Sequence, residues 1–382
     1  MLWTTLVIDM VGFGIVIPVQ PFWAKHFGAS PFKIGLIGGS FSFAQFVLAP
    51  LWGRVSDRVG RKPVLIISLI GTAIGFGVTA SASSLWMLFA GRLIDGASGA
   101  TIGVAQAGVS DIAVPSERPK LMGLLGAAFG IGFVLGPVIG GTLSGISYRL
   151  PFYVAGAAAA INAVATFIRL PETKTTKSAP RANLAKVWHL PSFNRLAVVV
   201  FISVASFSAF ENTFGLFGAK RLHMGPKGVG LWLAFIGVML VIVQGGLIGP
   251  ASKRFSMPTL LRGGLLLTGS GLVVFGFTYG WALMVVANIL IAFGQGFYAP
   301  ALSSTSAAIS PPDRRGEVLG AIQSISSVAR IVGPAIGGFL FGRVSVGAPY
   351  FVGAVGLAIA FACIAGLKTS EHADSPSVVT HG

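Results

Sequence analysis

The sequence predicts an all-α membrane protein of twelve transmembrane helices in two six-helix bundles. Three observations carry that expectation. Only 10% of the 382 residues are charged while 54% are apolar, with a mean hydropathy of +0.82. A soluble domain carries about a quarter charged residues, because its surface faces water. Second, the apolar residues come in runs of roughly 20, the length that crosses a hydrocarbon core of about 30 Å at 1.5 Å per residue. Third, the second half of the chain echoes the first. Gly136-Pro137-Val138-Ile139-Gly140-Gly141 returns 197 residues later as Gly333-Pro334-Ala335-Ile336-Gly337-Gly338. Gly53-Arg54-Val55-Ser56-Asp57-Arg58 has its echo in Gly249-Pro250-Ala251-Ser252-Lys253-Arg254, and Pro115-Ser116-Glu117-Arg118 in Pro311-Pro312-Asp313-Arg314.

In chain order, apolar runs at 2–22, 34–52, 64–83, 86–107, 122–145 and 151–170 form an N-terminal bundle over 1–170. The first run lacks a basic leading region and a small-residue cleavage site, and reads as a span rather than a signal peptide. The stretch 171–193, with Glu172, Lys174, Lys177, Arg181 and Lys186, is too polar to cross and reads as a cytoplasmic linker. Runs at 194–217, 228–250, 259–279, 281–304, 316–342 and 348–367 form the C-terminal bundle over 194–368, and 369–382 reads as a disordered cytoplasmic tail.

Basic residues fix the orientation, because cytoplasmic loops are enriched in Lys and Arg. With a cytoplasmic N-terminus, the inside segments hold most of the 27 Lys and Arg, while the outside loops hold Lys25, Lys33, Arg149, Lys220, Arg221, Lys227 and Arg343. Both termini are expected in the cytoplasm, with the chain in the cell (inner) membrane. The net charge of +16 would suggest nucleic acid in a soluble protein. Here the basic residues sit between apolar runs and serve topology, so no nucleic-acid partner is expected. Cys363, the single cysteine, lies inside the last run, which leaves no disulfide framework and no metal cluster. No Gly-x-x-x-x-Gly-Lys-Ser/Thr loop is present, and all histidines lie outside the spans. The expectation is a monomer that is neither an enzyme nor an ATP-driven pump, with no cofactor.

Five charges fall well inside spans, away from their ends: Asp9, Arg92, Asp95, Glu211 and Arg330. An ionisable group at the bilayer centre costs at least about 2.5–3.5 kcal/mol, so such groups face the protein interior or a wet cavity. Asp9 is the candidate proton carrier, or one end of a structural ion pair. Arg92 has two possible partners, Asp9 across helices or Asp95 three residues along its own. Glu211 fits a cation-attracting site, a second proton site or a solvated acid near a loop. Arg330 fits an anion site or a pair with Glu211. Gln45, Gln106, Asn212, Gln244, Asn288, Gln295 and Tyr298, with Gln20 and Gln323, are candidates for lining a site for a small molecule, although for any one of them a structural role is the more common one. Internal duplication itself points to a site near the midplane between the halves.

Two motifs suggest moving parts. In 53–63, Gly53 and Gly60 would permit a tight turn and Pro63 suits a first helical turn. Asp57, Arg58 and Arg61 could form a network joined by Asp111, Glu117 and Arg118, or the basic residues could serve topology alone. In span five, Gly132, Gly136 and Gly140 share one face, and Pro137 favours a kink. Span eleven repeats this with Ala329, Gly333, Gly337 and Pro334. These faces, with Gly141, read either as helix packing or as a hinge and seal between the halves.

Gly53-x-x-Ser56-Asp57-Arg58-x-Gly60-Arg61-Lys62-Pro63 resembles the loop motif of the major facilitator superfamily. Span one (Asp9-Met10-Val11-Gly12-Phe13-Gly14-Ile15-Val16-Ile17-Pro18), span four (Gly91-Arg92-Leu93-Ile94-Asp95-Gly96-Ala97-Ser98-Gly99-Ala100) and span five (Gly132 to Gly141) resemble its drug:proton antiporter branch with twelve spans, which includes tetracycline-type efflux proteins. The resemblance implies proton-coupled efflux of a small amphipathic drug or metabolite by alternating access. It assigns proton coupling to Asp9 and Arg92, and a role in steadying the outward-facing state to Asp57, Arg58, Arg61 and Asp111. Asp95, which is not a standard part of the tetracycline-type pattern, and Glu211 are further proton-coupling candidates from their places inside spans alone. Lys253 stands where a second Asp57 would be, so no matching network is expected there. The tetracycline-type proteins also carry mid-membrane acids in spans three and nine and, in some, a histidine in span eight. Runs 64–83, 228–250 and 259–279 have neither, so those contacts do not carry over. The alternative is a proton-coupled symporter importing a small organic solute; a receptor on the same scaffold is a weaker one, because no signalling domain is visible.

Overall fold

The computed structural model describes residues 1–112, 118–172, 193–310 and 315–365. Among these, all regular structure is helical. The first half holds α1 (Leu2–His26), α2 (Pro31–Val59), α3 (Arg61–Ala80), α4 (Leu85–Ala97), α5 (Thr101–Ile112), α6 (Arg118–Leu143) and α7 (Leu150–Arg169). The second half holds α8 (Phe193–Arg221), α9 (Pro226–Ile242), a π-helical turn (Val243–Leu247), α10 (Ile248–Arg254), α11 (Met257–Gly276), α12 (Trp281–Ala308), α13 (Arg315–Arg343) and α14 (Ala348–Ala365). Among the described residues, ten helical stretches are long and apolar enough to cross a bilayer, with α9 to α10 counting as one. Most of the expected linker, the expected tail and Glu117 lie outside the described residues.

Helix ends follow local chemistry. Ser30 caps α2 by accepting a hydrogen bond from the Lys33 N–H at 3.4 Å, with Pro31 in the first turn. α2 then runs unbroken through Gly53, so the expected tight turn there is absent; the turn is made by Gly60 alone, at φ +110°. An L-residue is strained at that angle. The missing side chain also leaves room for Glu172, whose Cδ would lie 2.5 Å from a Cβ at Gly60.

The duplication read in the sequence reappears in the packing. α1 packs on α6 and α7, and α8 packs on α13 and α14 in the same way. α3 packs on α7 and α4, as α11 does on α14 and α12. Two seams, α2 with α13 and α6 with α9, join the halves. Exposed apolar residues recur at helical spacing on the outside, as Ile67, Ile70 and Ile74 on α3, Ile161, Val164 and Ile168 on α7, and Val352, Val355 and Ile359 on α14. Stripes of this kind suit lipid contact and not water.

Glycines set how closely these helices approach. A Cβ on Gly136 would sit 2.6 Å from Gly14 Cα, and one on Gly140 would sit 3.0 Å from Ile15 Cα. The face Gly132–Gly136–Gly140 therefore packs on α1 of its own half, and the same holds for Gly333 and Gly337 against Ala205 and Ala209 of α8. This corrects the expectation of a seal on that face. The neighbouring face makes the seam: a Cβ on Gly141 would lie 3.1 Å from Lys227 Cα, and its repeat partner Gly338 lies equally close to Phe32 Cα. Pro137 joins this seam, its carbonyl lying against Gly230.

The expected span at 86–107 is broken between α4 and α5, over 98–100. Irregular backbone at membrane depth is tolerated only where protein satisfies its polar groups. Here α2 and α3 do so. Trp52 Nε1 donates to the Ala97 carbonyl at 2.6 Å and Gln45 Nε2 to the Gly99 carbonyl at 3.3 Å. The Ser68 hydroxyl donates to the Ser98 carbonyl and accepts from the Ala100 N–H.

Candidate functional site

Between the halves lies a cavity of about 530 Å³. The seams close it at the end carrying the starts of α2 and α9, where Gly338 and Gly141 meet the opposite half. Toward the other end the seam helices separate: a Cβ on Gly53, Gly126, Gly245 or Gly320 would meet nothing within 4 Å. The cavity therefore opens on the side of the α2–α3 turn.

All five charges expected inside spans line this cavity. On the first-half wall, Arg92 Nη1 donates to Asp95 Oδ2 at 2.7 Å, and both side chains are under a tenth exposed. The guanidinium also lies over the Phe41 ring, 4.4 Å from its centroid, an arrangement that offsets part of its desolvation. Of the two partners the sequence left open, Arg92 takes Asp95. Asp9 stands beside Thr101 and within electrostatic reach of Asp95, and no cation forms an ion pair with it among the described residues. The break between α4 and α5 brings Thr101 to this wall, since Ser68 holds both Thr101 Oγ1, at 3.2 Å, and the broken backbone.

The opposite wall is built differently. Glu211 and Asn212 project from α8, Arg330 from α13, Gln295 and Tyr298 from α12, and Gln244 from the π turn. Asn212 fills the space left by Gly38, reaching across the seam to α2. Glu211 and Arg330 are near enough to interact electrostatically but make no ion pair. Glu211 Oε1 and Asn212 Oδ1 are buried without a hydrogen-bond partner. A π turn is an irregularity that recurs at functional sites, and here it turns Gln244 to the cavity.

Two expected lining residues lie elsewhere. Gln106 is exposed on α5 and away from the cavity, because the break re-aims the helix that carries it. Asn288 is fully buried, where its Nδ2 donates to the Met284 carbonyl one turn back at 2.9 Å. Gln45 does reach the cavity, though its amide also serves the α4–α5 break. Sequence reasoning missed Phe41, Thr101 and Ser68. The Ser98-Gly99 pair just after Asp95 was the available signal, because Ser and Gly together favour interruption of a helix.

At the open end, Arg61 is the hub of the loop network. It donates to Asp57 at 2.6 Å, Asp111 at 2.9 Å and Ser56 Oγ at 3.0 Å, and its backbone N–H donates to Glu172 at 2.8 Å. Arg58 is exposed on the same turn. The network thus ties α2, α3 and α5 together with Glu172, near the start of the expected linker.

The sequence profile of the Major Facilitator Superfamily matches residues 2–261 and 245–380. The chain is 32% identical to the tetracycline resistance protein, class C, of Escherichia coli over 345 residues, which is 87% of this chain and 86% of that one. It is 27% identical to multidrug resistance protein 1 of Bacillus subtilis (strain 168), covering 97% and 96% of the two chains. Among solved structures, a bacterial homolog of the human lysosomal transporter Spinster, inward-facing and occupied, superposes with a TM-score of 0.79 at 18% identity, covering 95% of this chain and 94% of that one. That likeness concerns the fold.

Proposed function

The chain belongs to the major facilitator superfamily, and we propose that it exports a small amphipathic compound in exchange for protons. The observation that carries this reading is a shared cavity into which both halves place charge: Asp9 with the Arg92–Asp95 pair on one wall, Glu211 and Arg330 on the other. Counting α4–α5 as one interrupted span and α14 as the last gives twelve spans in two bundles, residues 1–170 and 194–368. With basic segments inside, both termini lie in the cytoplasm of a cell whose inner membrane holds the protein, and the open end faces inward. The cavity is complete within one chain, which supports a monomer.

Cargo enters through the open end and settles between the walls. The halves then rock about the α2–α13 and α6–α9 seams, closing the inner end while the Gly141 and Gly338 contacts part. Asp9 takes a proton when the cavity faces outward and releases it inward on return. Arg92, already held by Asp95, leaves Asp9 free to change charge without breaking a formed ion pair. The Arg61 network holds α2, α3 and α5 as one body during the movement.

Cells expressing the protein, challenged with ethidium, Hoechst 33342 and Nε-dansyl-lysine, are expected to accumulate less of at least one probe than cells expressing Asp9→Asn. Collapse of the proton gradient should remove the difference. Higher accumulation in cells expressing the unsubstituted protein would make it an importer.

A further inference from the structure

We infer that the second-half wall is a subsite for a zwitterionic head, so that the exported compound carries a cationic and an anionic group close together on an apolar body. This rests on the transport reading above for its context, but its physical basis is separate. Arg330 and Glu211 bring opposite charges to one wall of the cavity, and they sense each other electrostatically. Yet they do not close into an ion pair as Arg92 and Asp95 do. Glu211 Oε1 is buried with no partner, as is Oδ1 of the adjacent Asn212. Buried polar atoms are almost always satisfied, so such a pair of vacant acceptors calls for a donor from outside the protein. Arg330 makes no hydrogen bond among the described residues and is exposed to the cavity from mid-helix, which calls for an acceptor.

The gap is fixed by backbone. α8 and α13 are in close contact through Gly333 against Ala205 and Gly337 against Ala209, a register that sets the Arg330 backbone level with Ile202 and so nine residues, roughly 13 Å, from Glu211 along the helix axis. Side-chain collapse across the gap would strip hydration from both ions without the close geometry that offsets it. A cargo with only a cation would neutralise Glu211 and leave Arg330 without its counter-charge; a cargo with only an anion would do the reverse. A group that carries both satisfies both at once. The aromatic surface beside the pair, Phe207 and Tyr298, suits the apolar body.

The test is binding to the purified protein in detergent, with no gradient. Four dansyl probes differ only in charge: Nε-dansyl-lysine (zwitterion), dansylcadaverine (cation), 6-dansylaminohexanoate (anion) and N-hexyl dansylamide (neutral). Charged hydrogen bonds contribute enough that the zwitterion should bind at least about tenfold tighter than either singly charged probe. Glu211→Gln should make the anion the preferred probe, and Arg330→Gln should make it the cation. Equal affinities, no binding by any probe, or a ranking that ignores both substitutions would overturn the inference. The ranking on the unsubstituted protein decides the matter even where a variant misfolds. Failure of proton exchange in cells leaves this ranking untouched, so the two readings fail separately.

Discussion

The two walls of the cavity hold similar charges in opposite ways. On the first-half wall, Arg92 and Asp95 are buried, joined at 2.7 Å and covered by Phe41. On the second-half wall, Arg330 and Glu211 line the cavity without closing into an ion pair, and a carboxylate oxygen of Glu211 has no partner. A closed pair has met its charge by contact, although Arg92 Nε remains without a hydrogen-bond partner, and can serve as a fixed background for the carboxylate beside it. An open pair retains the capacity to bind. On the function proposed above, this difference is the reason for giving the proton to the first half and the cargo to the second.

The largest effect expected from breaking this division is at Asp9. Asp9→Asn, reconstituted in liposomes loaded with a pH-sensitive dye, should reduce cargo-driven proton movement to background; retained coupling would move the proton elsewhere. Next comes the closed pair itself. Arg92→Leu leaves Asp95 buried without its partner and should lower stability by about 3–5 kcal/mol, read as thermal unfolding in detergent, with Arg92→Leu/Asp95→Leu recovering much of the loss. Glu211→Gln, which breaks no formed pair, should shift the same unfolding far less; a comparable loss would mean that the second wall is also a structural pair.

Helix packing comes third. Gly136→Val forces a side chain into the α1 contact and should cost about 1–3 kcal/mol, whereas Gly141→Val, on the seam, should weaken transport more than folding. Smallest is the loop. Asp57 is two-fifths exposed, so Asp57→Asn should change stability by about 1 kcal/mol or less, yet slow transport more than it weakens binding. An unchanged transport rate would reduce the loop to a topology signal.

Much of this was legible in the sequence because its signals are strong and local. Charges in apolar runs stand out by cost, and the offset of 197 residues between Gly136-Pro137 and Gly333-Pro334 announces a duplication. The partners were not legible. Periodicity puts Gly132, Gly136 and Gly140 on one face but does not say which helix meets it, and the seam belongs to Gly141 one position on. Nor does spacing choose between Asp9 and Asp95 for Arg92, a choice made by how α1 and α4 approach. The break over 98–100 hid inside a run apolar enough to span, because what stabilises it comes from Trp52, Gln45 and Ser68 on other helices. Gln106 was misjudged for that reason. Asn288 was misjudged for another: an amide in a membrane helix can satisfy its donor on its own backbone and stay out of the cavity.

The division of labour is tested most directly by proton release on binding. Purified protein in weakly buffered detergent with a pH dye is titrated with whichever dansyl probe binds tightest. The unsubstituted protein should release protons as the probe binds, and Asp9→Asn, which resembles the protonated carboxyl, should still bind, weaker only by the linkage that the release implies, and release none. Release that persists in Asp9→Asn, or binding that disappears together with it, would contradict the separation of proton and cargo between the two walls.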